Sequence, residues 1–137
     1  MTTHITQMAT VFVPVRDQDR ALEFYTGTLG FEKRSDFVYA DGERWLEVVP
    51  PGAPTAITLV APRAGRSPGI ETAVAWVTED VDADHAALRA AGVDVDEAIL
   101  REGDPFVEWG GAILAGFPPM FRLRDPDGNS FLIVGRA

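Results

Sequence analysis

Hydrophobic positions along the chain follow two alternating periods, one typical of strands and one typical of helices. Met8–Val15 is a valine-rich run, which predicts a strand. The next apolar positions are spaced by three or four residues, which predicts one face of a helix. They are Ala21, Leu22, Tyr25 and Leu29. Asp17 precedes this helix as an N-cap, and Gly30 ends it because glycine tolerates the left-handed conformation.

Three further strand-like runs follow this helix. They are Phe31–Tyr39, Glu43–Val49 and Thr55–Ala61. The dipeptide Asp41-Gly42 predicts a tight turn between the first two runs. The order of elements up to this point is therefore one strand, one helix and three strands, or βαβββ.

The same order then restarts. A second capping aspartate, Asp80, lies 63 residues after Asp17, and a second helix-ending glycine, Gly92, lies 62 residues after Gly30. The predicted strands around this second helix are Thr72–Thr78, Val93–Ile99, Met120–Arg124 and Asn129–Val134. A repeat in such close register predicts an α+β fold made of two βαβββ modules. We place the modules at residues 1–62 and 72–137, with a linker at 63–71.

The second module differs by a longer loop, Arg101–Pro119, which is rich in glycine and aromatic residues. Loops of this length inside compact domains usually have a function of their own. Two interpretations stay open: an aromatic lid over a binding cleft, or a loop that its own rings hold in place or that contacts a second subunit.

Composition excludes several classes of function. The 137-residue chain has a formal net charge of −9, so its surface repels nucleic-acid phosphates and anionic lipid. It contains no cysteine, which excludes disulfides and thiolate chemistry. No apolar run reaches the length of a membrane span. We therefore expect a cytoplasmic protein without nucleic-acid or membrane partners.

Three segments together resemble one known family. The segment from Asp17 to Phe31, its counterpart from Trp76 to Val93 and the turn Asp125–Asn129 are similar, in this order, to the vicinal-oxygen-chelate superfamily. That superfamily includes glyoxalases, bleomycin-resistance proteins and dioxygenases. The resemblance implies curled sheets that enclose a cleft, and a homodimer with its clefts at or near the interface.

The resemblance also implies where a metal would be held. In the metal-using members, the first and fourth strands of each module supply four ligands, usually His, Glu or Gln. The matching positions here are Thr10, Thr58, Ala73 and Leu132. None of them is a standard ligand for a divalent ion. The sequence therefore predicts a member without a metal or other cofactor.

Side chains that alternate in step with these positions make the expected cleft apolar with a few hydroxyls, which suits a flat or aromatic ligand. The predicted ligand-binding residues are Thr10, Phe12, Trp45, Glu47, Thr58, Trp109, Phe121 and Leu132. Trp45 and Glu47 share a strand face. They form either a ring platform beside a carboxylate, or an edge strand with a half-buried ring and a solvated acid.

Few residues are candidates for acid–base chemistry. His85 lies on the second helix, where it is either a base at neutral pH or, as we favour, a ring that packs the helix against the sheet. Glu47, Glu108 and Arg122 complete the set, and no pair of them has a spacing that dictates a mechanism. No catalytic residue is assigned.

Two hypotheses follow from these observations. The first is a metal-independent binding protein for an aromatic or antibiotic-like small molecule, and the acidic surface would suit a cationic drug. The second is a metal-free isomerase, lyase or ring-forming enzyme that acts on a secondary-metabolite-like substrate. A protein-interaction role with a filled cleft remains a third possibility.

Overall fold

The chain divides into two units, the first from Met1 to Pro68 and the second beginning at Gly69. The structure, a computed structural model, describes residues 1–136. The predicted linker 63–71 is divided between the two units. Within residues 1–136, no helix is both long enough and apolar enough to cross a membrane.

The first unit contains one helix and one four-stranded sheet. Its elements are β1 (Thr10–Pro14), α1 (Gln18–Glu23, continued by a π turn at Phe24–Thr28), β2 (Glu32–Val38), β3 (Arg44–Val49) and β4 (Ala56–Val60). The strands lie in the order β1-β4-β3-β2, and β1 pairs with β4 in parallel. The Asp17 carboxylate accepts the backbone N–H of Arg20, so the predicted cap of α1 is confirmed.

The second unit repeats this topology. Its elements are β5 (Glu71–Thr78), α2 (Val81–Ala90), β6 (Asp94–Val95), β7 (Val107–Trp109), β8 (Ala112–Leu114), β9 (Met120–Arg124) and β10 (Ser130–Gly135). Its main sheet has the order β5-β10-β9-β6, which corresponds strand by strand to the first unit. Asp80 caps α2 through the backbone N–H of Ala83, also as predicted. The predicted α+β fold with two βαβββ repeats is therefore confirmed.

Two elements of the second unit differ from the prediction. The strand expected over 93–99 is only two residues long, and beyond it the chain keeps only isolated backbone bonds to β9, at Asp96 and Leu100. The loop 101–119 is not structureless: β7 and β8 form a hairpin around Gly110 and Gly111. Both glycines have positive φ, 59° and 78°, as a tight two-residue hairpin turn requires.

Each sheet has one face packed against its helix. In the first unit the helix-facing side chains are fully buried, and they include Val13, Leu46, Val48, Ile57 and Leu59. Ala21 and Tyr25 of the helix are buried with them. Because side chains alternate along a strand, the intervening residues point to the opposite face, which we call the open face. The predicted site residues of the first unit lie on this open face.

Candidate functional site

Five predicted site residues of the first unit share the open face of its sheet. Phe12 pairs with Thr58 across β1 and β4, and Glu47 of β3 pairs with Thr58 from the other side. Thr10 and Trp45 lie two residues from Phe12 and Glu47 respectively, so they point the same way. The structure therefore brings Thr10, Phe12, Trp45, Glu47 and Thr58 together on adjacent strands.

Four aromatic side chains of the first unit form a continuous surface, here called the aromatic patch: Phe12, Phe37, Tyr39 and Trp45. Trp45 is central, because it lies parallel to Phe37 at 6.3 Å and edge-to-face with Phe12 at 5.6 Å and Tyr39 at 6.1 Å between ring centroids. Phe12, Phe37 and Tyr39 remain 42%, 53% and 45% exposed. So large an exposed aromatic surface is typical of a ligand or partner site.

Glu47 lies beside this patch and is buried, with 7% of its surface exposed. Arg34 holds its carboxylate with two bonds, from Nη2 to Oε2 at 2.8 Å and from Nε to Oε1 at 3.3 Å. The hydrogen bonds from Arg34 hold the pKa of Glu47 below its usual range, with smaller contributions from the side chains of Ser35 and Trp45, although burial opposes them. Glu47 is thus a fixed, ionised and internally neutralised group. Its lowered pKa makes it a weak base.

The positions that correspond to metal ligands carry no suitable donors. In the first unit, the hydroxyl oxygens of Thr10 and Thr58 lie 2.6 Å apart and hydrogen-bond to each other. In the second unit, Leu132 belongs to an apolar cluster, and Ala73 sits in a bulge of β5 with φ of 59°. Within residues 1–136, no group of three or more His, Cys, Asp or Glu side chains is placed to hold an ion. This donor set does not fit the chelated divalent ion of the metal-using relatives.

The hairpin β7–β8 covers the open face of the second sheet. Trp109 of the hairpin is only 5% exposed and packs with Leu114, Met120 and Leu132. Its indole N–H donates to the Ser130 hydroxyl at 2.7 Å. Trp109 and Leu132, both predicted to bind a ligand, instead pack together in an apolar cluster that fills this face. Trp109 is the ring that holds the loop in place, whereas Phe106 and Phe117 of the same loop are 72% and 68% exposed.

Phe121 lies on the other side of that sheet, which corrects its predicted position. It pairs with Ile133 rather than with Leu132, so it points toward α2 and is 1% exposed. The His85 ring packs against it edge-to-face at 4.9 Å, and the His85 Nε2 lies 2.7 Å from the carbonyl oxygen of Asp96. The preferred interpretation of His85 as a ring that packs the helix is confirmed.

The remaining charged candidates are arranged as structural groups. Arg122 and Arg124 both bind Asp96, at 2.8 Å and 2.9 Å. Burial raises the pKa of Asp96, but the hydrogen bonds from the two arginines outweigh it and the net pKa is lowered. Glu108 is exposed on the outer strand face of the hairpin, opposite Ile113. None of these groups is positioned as a general base.

Sequence reasoning missed three residues of the site: Arg34, Phe37 and Tyr39. A signal for the two rings was present, because Ser35, Phe37 and Tyr39 alternate along one strand and β2 precedes the strand of Trp45. Arg34 gave no such signal. It lies where the register of β2 shifts between Lys33 and Ser35, which turns its side chain toward Glu47.

Comparisons with known proteins give one consistent family. The sequence model of the Glyoxalase/Bleomycin resistance protein/Dioxygenase superfamily matches residues 4–133. An uncharacterised Bacillus subtilis protein, YetH, is 30% identical over 131 residues, with 94% of this chain and 98% of YetH covered. A member of the superfamily from Sphaerobacter thermophilus has a similar structure, with a TM-score of 0.83, 31% identity, and 98% and 100% of the two chains covered. TnmS3, described as an antibiotic binding protein from a Streptomyces species, gives a TM-score of 0.76 and 33% identity over 99% and 100% of the chains.

Proposed function

The chain belongs to the Glyoxalase/Bleomycin resistance protein/Dioxygenase superfamily, and from that premise we propose that it is a metal-independent binding protein for a planar aromatic or antibiotic-like small molecule. Members of the superfamily bind small molecules, and the relative TnmS3 is described as binding an antibiotic. That description supports the proposal for this chain without identifying its ligand.

The observation that carries the proposal is the aromatic patch. Phe12, Phe37 and Tyr39 leave about half of each side chain exposed while they contact the central Trp45. Exposure of apolar ring surface to water is unfavourable, and a flat ligand that stacks on the rings removes that surface from water. The half-buried Thr10 supplies a hydroxyl beside the patch on the same face, where it is bonded to the hydroxyl of the fully buried Thr58. The patch thus combines an apolar platform with a small number of polar groups, as ligand sites do.

Native mass spectrometry against a panel of aromatic metabolites and antibiotics should identify a ligand. Calorimetry with that ligand then compares F37A with F106A. Both substitutions remove an exposed phenylalanine, but Phe106 lies outside the patch and is 72% exposed. We expect F37A to weaken binding by about tenfold, the loss for about 1.4 kcal/mol of stacking, and F106A to leave it unchanged. Equal effects of the two substitutions would argue against the patch as the site.

The enzymatic alternative has less support in this geometry. An isomerase, lyase or ring-forming enzyme needs an acid or base near its substrate with a pKa close to the working pH. Glu47 has its pKa lowered by its pair with Arg34, and His85 packs on the helix side of its sheet. A binding role needs neither group to change its protonation state.

We further propose that the protein acts in the cytoplasm as a homodimer. Edge strands and exposed apolar side chains such as Val77 and Ile113 favour burial against a second copy. Light scattering at micromolar concentration should give the mass of a dimer. A monomer under those conditions would contradict the dimer and leave the small-molecule site intact.

A further inference from the structure

The negative charge of the chain is concentrated in its second unit. Residues 1–68 contain seven Lys and Arg against eight Asp and Glu, a formal charge of −1. From Gly69 onward there are five basic and thirteen acidic residues, which gives a formal charge of −8. The first unit, which carries the aromatic patch, is therefore nearly neutral by itself.

The carboxylate beside the patch offers little to a cation. Glu47 is buried, and two bonds from Arg34 neutralise it. A ligand ammonium group would have to break this pair and bury its own charge, which is costly without a new partner. Glu47 is thus not a free anionic partner for a cationic ligand.

A cation, in contrast, lies at the β1 end of the patch. Arg63 and Arg66 form a hydrogen-bonded turn, with backbone bonds in both directions between them. Arg63 pairs with Glu43, whereas the Arg66 Nη2 donates to the carbonyl oxygen of Phe12 at 2.5 Å. In the described part of the chain, no carboxylate lies within 4.0 Å of the Arg66 guanidinium. This exposed charge is therefore held against a residue of the patch without an acidic partner.

We propose that the ligand that stacks on the aromatic patch is a planar aromatic acid, and that Arg66 binds its carboxylate beside Phe12. This inference rests on the proposed function. The bond to Phe12 uses one of five guanidinium N–H donors and fixes the position of the group. The remaining guanidinium N–H groups can donate charge-assisted hydrogen bonds to a carboxylate, and arginine forms such bonds with defined geometry. The ring system of the ligand lies on Trp45 and Phe37, and its acid group points toward β1.

Three probes of equal ring size test this assignment by calorimetry at pH 7.5 and low salt: 2-naphthoate, 2-naphthalenemethanol and 2-naphthylmethylammonium. We expect naphthoate to bind about threefold to fivefold tighter than the alcohol, because an exposed ion pair contributes an increment of this size. The ammonium probe should bind most weakly. Added salt should remove the preference for naphthoate and leave binding of the alcohol unchanged.

Variants distinguish the specific effect of Arg66 from the effect of losing any one positive charge of the first unit. R66Q should remove the preference for naphthoate without weakening the alcohol, and R66K should retain most of it. R20Q is the matched control, since it makes the same charge change on α1, on the other side of the sheet. An effect of R20Q equal to that of R66Q would overturn the assignment to Arg66.

The outcomes distinguish this inference from the function on which it rests. If the alcohol binds and naphthoate binds no tighter, or if the ammonium probe binds best, the inference is overturned and the aromatic site stands. If none of the three probes binds, the proposed function fails at this patch, and the inference fails with it.

Discussion

Trp109 donates its indole N–H to the hydroxyl of Ser130 across 2.7 Å, and both residues are buried. This bond joins the hairpin β7–β8 to the last strand of the second sheet. It satisfies the single polar atom of a ring that otherwise packs against Leu114, Met120 and Leu132. The loop predicted from sequence, 101–119, is thus attached to the sheet by this bond and by the packing of Trp109 and Leu114.

We predict that replacing Trp109 destabilises the protein strongly. W109A removes a buried ring and leaves a cavity, which should lower the free energy of unfolding by about 3–5 kcal/mol. W109F keeps a ring but loses the bond to Ser130, so its cost should be smaller, about 1–2 kcal/mol. Urea unfolding followed by circular dichroism measures both. The exposed Phe106 supplies the control, and F106A should change stability by less than about 0.5 kcal/mol.

A second prediction concerns Asn129, which is fully buried next to the turn between β9 and β10. Its Oδ1 accepts the backbone N–H groups of Gly69 and Ile70 at 2.8 Å and 3.1 Å, and its Nδ2 donates to Asp125. N129A removes the acceptor of these two part-buried N–H groups and the donor to the buried Asp125, so the free energy of unfolding should fall by about 1–3 kcal/mol. N129S, with its shorter acceptor, serves as the comparison in the same denaturation assay. A loss below about 0.5 kcal/mol for N129A would mean that water replaces the amide.

The fold was predictable because its local signals agree with each other. Asp17 and Asp80 cap their helices through side-chain bonds, and Gly30 and Gly92 end them with φ of 76° and 77°. These signals act within a few residues, so sequence alone contains them. The hairpin at Gly110 also had such a signal, a Gly-Gly pair between alternating apolar residues.

The site was less predictable because it depends on register between distant strands. Phe121 was expected on the open face, but pairing with Ile133 turns it toward α2, and a shift of one residue would have reversed this. The pair of Arg34 with Glu47 depends on an irregularity in β2, which leaves no trace in hydrophobic periodicity. Long-range pairing, rather than residue type, decides these positions.

A third prediction follows from the ion pair of Asp36 and Arg44, which has bonds of 2.8 Å and 2.9 Å. The hydrogen bonds from Arg44 lower the pKa of Asp36 from 3.8 to about 2. A carboxyl group with a lower pKa in the folded state contributes stability above its unfolded pKa, and that stability is lost as the pH falls toward the folded value. The contribution of Asp36 should therefore be complete at pH 5 and should disappear between about pH 4 and pH 2.

Denaturation of the wild type and of D36N across that range tests this dependence. The wild type should be more stable than D36N by about 1 kcal/mol at pH 5, and the two should converge as the pH approaches 2. E23Q is the control, because Glu23 is an exposed carboxylate on α1. A constant difference between the wild type and D36N at all pH values would show that Asp36 acts through shape rather than charge.

The last prediction concerns metal content. A tight divalent site needs at least three good donors that converge on one point. Of the four positions that supply ligands in the metal-using members, Thr10 and Thr58 bind each other, Ala73 has no donor atom, and Leu132 packs with Trp109. We expect tag-free protein to contain far less than one equivalent of Zn, Ni, Fe or Mn by elemental analysis. Since an ion that binds only the native state stabilises it by mass action, chelator should leave both the melting temperature and ligand binding unchanged. Stoichiometric metal together with a chelator-induced fall in melting temperature would contradict the metal-independent interpretation and reopen the chelate-type reactions of the superfamily.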